Sequence, residues 1–76
     1  MKGIILWGVS AASEYEASHQ KNVIGIIDSN IELAGTKKFG LDIFTPENAP
    51  WKSIQKIVIC TSSIQDVQDK LAMMSI

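Results

Sequence analysis

The sequence predicts an α/β fold, an open and mostly parallel sheet of four short strands in the order 3-2-1-4 with helices on both faces. Three observations predict it. Apolar, β-branched runs recur as unbroken stretches rather than alternating ones, the pattern of strands buried on both sides. Each run is four to six residues long and bounded by Gly, Ser, Asn or Asp, too short for a buried helix. Two of the runs pass through small polar residues into a helical stretch, so the chain repeats a strand-to-helix grammar.

Taken in order, Ile4-Ile5-Leu6-Trp7-Gly8 marks a first strand near 4–8, and Ser10-Ala11-Ala12-Ser13-Glu14-Tyr15 opens a helix near 11–19. Val23-Ile24-Gly25-Ile26-Ile27 is the second strand, closing on Asp28-Ser29-Asn30. Signals thin out after Ser29, where Gly35, Gly40, Pro46 and Pro50 punctuate the chain. Leu41-Asp42-Ile43-Phe44 alternates like a short third strand, and Thr45-Pro46-Glu47-Asn48 carries a helix-start signature that Pro50 cuts off. The fourth strand is expected near 56–60, through Ile57-Val58-Ile59-Cys60. A helix near 63–74 follows, with Ser62 or Ser63 as N-cap, Asp66 as capping-box partner, and Ile64, Val67, Leu71 and Met74 on one inward stripe. Met73 and Met74 read as core or helix-end residues.

Length and composition set bounds on function. Seventy-six residues suit one domain over 1–76, and a chain this short buries only about 60% of its unfolded surface. With 46% hydrophobic and 20% charged residues it reads as globular. A net charge of −1, from seven Lys and no Arg against eight acids, leaves no electrostatic footprint for nucleic acid or an anionic membrane. No apolar run approaches the ~18 residues of a membrane span, so a cytoplasmic protein is expected. One Cys and one His exclude an internal disulfide and a closed zinc site.

One constellation carries chemistry. A strand ending at Gly8, a turn of small residues, a helix, and a second strand ending in an acid 20 positions on, Asp28, form a β-α-β unit with dinucleotide-binding spacing. In such a unit a glycine turn lets pyrophosphate reach the helix N-terminus, and the acid accepts from a ribose hydroxyl. Of the three glycines in that fingerprint, Gly8-Val9-Ser10-Ala11-Ala12-Ser13 keeps only the first; Ser10 and Ser13 replace the others. A second reading stands beside it: Gly8 supplies a turn, Ser10 caps the helix, and Asp28 with Asn30 forms an Asx turn. The residues leave both open.

The series Ile4 to Ser10, Val23 to Asn30, Gly35, Gly40 to Asn48 and Lys56 to Ser63 resembles the small Rossmann-like domain of bacterial surface-sugar biosynthesis. That domain stands at the N-terminus of sialic-acid and bacillosamine-type sugar acetyltransferases, with relatives in nucleotide-sugar dehydratases and beside methyltransferase domains. The resemblance covers nearly the whole chain. It implies non-catalytic binding of a nucleotide or nucleotide-sugar, with UDP-sugars and NAD(P) as candidate ligands and catalysis left to a fused or partner domain. Carried over by position, Gly8, Val9, Ser10 and Ala11 would form the phosphate turn, Asp28 and Ser29 would meet the ribose or uracil edge, and Thr61 and Ser62 would face them from the last strand-to-helix turn.

The remaining candidates read as structural. His19 lies among Ser18, Gln20, Lys21 and Asn22 at a solvated helix end. Cys60 sits within an apolar strand and reads as an inert core thiol. Tyr15 has His19 rather than Lys four positions on, which argues against short-chain dehydrogenase chemistry. Lys37-Lys38 reads as a solvated turn. Trp7 is expected to point into a helix layer and Trp51 to be the more exposed tryptophan. No acid, base and nucleophile converge in the sequence, so turnover by this chain alone is not expected. The rival expectation is a self-association or interaction module with a degenerate, empty nucleotide site, because two helices cannot cover both faces of the sheet.

Overall fold

In the computed structural model, which describes residues 2–74, the apolar runs become strands and the stretches after small polar residues become helices. The elements are β1 (Gly3–Trp7), α1 (Ala11–His19), β2 (Val23–Ile27), β3 (Lys37–Lys38), β4 (Leu41–Phe44), β5 (Ile54–Ile59) and α2 (Ile64–Met73), with 3-10 turns at Ile31–Leu33 and Trp51–Ser53. They form one sheet in the order β3-β4-β2-β1-β5. β1 pairs in parallel with β2 and β5, and β2 in parallel with β4. The four parallel strands therefore take the expected order.

The strand count does not. A fifth strand, β3, pairs antiparallel with β4 through Lys37↔Asp42 and Lys38↔Leu41. Its residues were expected in a solvated turn. The hairpin loop is Phe39-Gly40, both in the left-handed region at φ 54° and 75°, as a two-residue type I′ turn requires. Phe39 holds this unfavourable conformation while its ring packs on the cluster of Leu6, Ile26, Ile43 and Cys60.

Two apolar layers flank the sheet, one under each helix. On the α2 side Ile5, Trp7, Ile27, Ala49 and Val67 form a core, with Phe44, Trp51, Ile57 and Leu71 packed against it. On the α1 side Leu6, Ile26, Ile43 and Cys60 form the other, with Val9, Ala17 and Val58 against it. Ile5, Leu6, Ile26 and Ile27 are fully buried, each contributing about 1.5–3 kcal/mol relative to exposure. Register shifts after Ile4 in the β1–β2 pair and after Gly3 in the β1–β5 pair each insert a residue, Ile24 and Gln55. The first insertion puts Ile24 on the α2 face with Ile27 although Ile26 faces α1. Gly25 is required by packing, since a Cβ there would lie 2.5 Å from the Phe44 ring.

The helices dock differently. α1 buries only Ser13 among its own residues. α2 buries Val67, with Leu71 half-covered beside it. Two expectations for α2 fail: Ile64 is exposed rather than core, and Ser63 makes no side-chain cap bond, so the capping box with Asp66 is not formed. Met73 is exposed at the helix end. Thr45-Pro46-Glu47-Asn48 makes a turn and no helix, held by Asn48 N–H donating to the Thr45 carbonyl and hydroxyl. Trp51 is half-buried, its indole donating to Pro46 O at 2.8 Å and its ring 6.2 Å from that of the buried Trp7.

Candidate functional site

The chain leaves β1 at its carboxyl end through Gly8, whose φ of 108° suits glycine, and a Cβ at this position would stand 3.0 Å from Thr61 Cβ. The tight approach brings the ends of β1 and β5 together. Ser10 then caps α1 in a closed capping box. Its Oγ accepts from Ser13 N–H at 3.3 Å while the Ser13 hydroxyl accepts from Ser10 N–H at 2.7 Å. Ser10 Oγ also donates to Cys60 O at 2.6 Å, tying the turn to the end of β5.

Asp28 completes the closure. Its carboxylate accepts from Val9 N–H at 3.3 Å and from Asn30 N–H at 2.9 Å, the second being the Asx turn that the sequence left open. Gly8 N–H donates to Ile27 O. The amides of Gly8, Val9 and Ser10, expected to hold a phosphate, are thus satisfied within the protein. Ala11 and Ala12 keep the amides of this turn that have no acceptor among the described residues.

Beside this turn, on the α2 face, lies a crevice of about 160 Å³ lined by Trp7, Gly8, Asp28, Ser29, Thr61, Ser63, Asp66, Val67 and Lys70. Of the expected site residues it gathers Gly8, Asp28, Ser29 and Thr61. Val9, Ser10 and Ala11 lie outside it on the α1 side of the turn, and Ser62 is displaced from it by Ser63. The sequence reading missed Ser63, Asp66 and Lys70, which share the face of α2 that buries Val67. Their signal was present as i, i+3, i+7 spacing around that apolar position.

The crevice stands where β1 separates two directions of winding. From β1 the chain moves through β2 to β4 on one side, then crosses to β5 on the other. Open α/β sheets bind ligands at the carboxyl ends of the strands at such a switch point. Its polar groups are three hydroxyls, the carboxylates of Asp28 and Asp66, and the Lys70 ammonium. They suit hydrogen bonding to a polyhydroxylated ligand.

Cys60 is buried just past the end of β5, in the core on the α1 side of the sheet. Burial, and secondarily the nearby Glu16 carboxylate, hold its thiol above the ordinary value of 9.0, which keeps it protonated and unreactive at neutral pH. Among the described residues no group of three or more His, Cys, Asp and Glu side chains is placed to hold a metal ion, and no helix is long and apolar enough to cross a membrane. His19 is exposed and stacks on Tyr15 with ring centroids 4.0 Å apart. Comparisons of this chain with protein-family models, with curated proteins and with solved structures found no match.

Proposed function

We propose that this chain is a non-catalytic, Rossmann-like module that binds a nucleotide or nucleotide-sugar, in or derived from a bacterial sugar-modifying enzyme of acetyltransferase, dehydratase or methyltransferase type. The observation that carries the reading is the convergence of Gly8, Asp28, Ser29 and Thr61 on one crevice at the switch point of the sheet. The closed α1 cap changes the expected mechanism. The ligand's hydroxyl-bearing portion enters between β1 and α2, against Thr61, Ser63 and Ser29, while Lys70 supplies the cation for an anionic substituent.

The test is a melting scan of the full chain with UDP-sugars, NAD and NADP. A ligand at 100 times its Kd stabilises by about 2.7 kcal/mol. Lys70→Ala, which removes no hydrogen bond of the fold, is expected to weaken that ligand about tenfold by deleting one charge-assisted contact. Absence of any shift at millimolar ligand would sink the reading.

A specific feature favours assembly as the second reading. β5 forms one margin of the sheet, and an apolar hollow lined by Trp51, Ile54 and Ile57 opens beside it. Sedimentation of the chain and of Ile57→Asp separates the two, since an assembly module changes oligomeric state with that substitution and a binding module does not.

A further inference from the structure

The opposite end of the sheet carries a feature that neither reading of the crevice uses. At the amino ends of β1, β2 and β5 a cleft of about 390 Å³ is lined by Lys2, Gly3, Ile4, Lys21, Asn22, Gln55 and Lys56. Three of the chain's seven lysines meet there, and no carboxylate among the described residues lines it.

Their convergence is built by the fold. Lys2 leads into β1, Lys21 stands in the α1–β2 turn, and Lys56 sits just past the residue inserted into β5 opposite Gly3. The turn is fixed by Asn22 in the left-handed region at φ 64°, with its carbonyl accepting from Ile4 N–H at 2.8 Å. The amides of Lys21 and Asn22 have no acceptor among the described residues. The one salt bridge among those residues, Lys37 to Asp42 at 3.6 Å, engages none of the three. Like charges gathered without a counter-charge repel one another and disfavour the folded chain, and a bound polyanion relieves that repulsion.

We propose that this cleft is an anion site for a phosphate-bearing small molecule carrying two or more phosphoryl groups. Lysines from three separate stretches of the chain line the cleft beside Gly3 and Ile4, and Asn22 and Gln55 add neutral polar residues. Three point charges spread around a cleft suit several phosphate oxygens better than a single carboxylate. The site is separate from the crevice at the carboxyl ends, and its existence does not depend on what the crevice binds.

Inorganic pyrophosphate, titrated at constant ionic strength into the 15N-labelled full chain, is the probe. The expected result is saturable movement of the Gly3, Lys21, Asn22 and Lys56 amide signals, with the dissociation constant raised about tenfold or more in Lys21→Glu/Lys56→Glu. Should that variant not fold, Lys2→Gln/Lys56→Gln replaces it, with weaker binding again expected. Movement confined to the Gly8, Asp28 and Thr61 signals would overturn the proposal and put the anion in the crevice. Movement that does not saturate at millimolar pyrophosphate, or binding unchanged in the charge variants, would also overturn it.

Discussion

The turn from β1 into α1 is closed by its own side chains, whereas the turn from β5 into α2 is not. Both run from an apolar strand through small polar residues into a helix. At the first, Ser10 and Ser13 satisfy each other's backbone, Asp28 reaches across from β2, and Ser10 bonds to Cys60 O. At the second, Ser63 has ψ 52° rather than extended geometry, and its side chain caps nothing. Among the described residues, the side-chain bond within Thr61–Ser63 runs from Ser63 N–H to Thr61 Oγ1 at 3.2 Å. The difference shows that serine at a helix start serves either the fold or the solvent according to backbone angle. The uncapped hydroxyl is the one that lines the crevice.

The largest expected effect comes from Gly8, which sits between the two turns. Gly8→Ala must hold an L residue at positive φ and push its methyl against Thr61, so it is expected to cost on the order of 3 kcal/mol, read from the urea midpoint at unchanged m. Ser10→Ala, which breaks the closed turn, should cost about 1–2 kcal/mol in the same assay. Ser63→Ala should stay within about 0.5 kcal/mol of the parent, and a cost equal to that of Ser10→Ala would erase the contrast. The smallest effect concerns Cys60. Its folded thiol titrates above 9.0 because of burial and Glu16, so the folded chain binds more protons than the unfolded chain once pH exceeds that value. Stability is therefore complete below pH 9.0 and declines as pH rises toward the folded value. The decline is expected to be shallower in Cys60→Ala, measured as the difference between the two urea midpoints.

The parallel strands and their order were legible because unbroken β-branched runs are rare outside doubly buried sheet. The α1 limits were legible because Ser10 has both the residue type and the spacing of a cap. β3 was not, since Lys37 and Lys38 carry no strand signal and the hairpin loop has Phe where Asn or Gly announces a type I′ turn. The crevice was half legible: the strand spacing identified Gly8 and Asp28 and the resemblance added Ser29 and Thr61, while the α2 face contributing Asp66 and Lys70 depended on knowing how Val67 docks. The lysine cleft was hidden altogether, because Lys2, Lys21 and Lys56 are distant in sequence and the net charge of −1 conceals a local excess.

The Lys37–Lys38 strand has a consequence for how copies of this chain could stack. It is two residues long and carries two exposed cations on the outermost rim of the sheet, a poor template for another backbone. Ribbon-to-ribbon addition is thereby confined to the opposite rim. Pairing through that rim would use it up, so strand-to-strand growth by that route would stop at two copies.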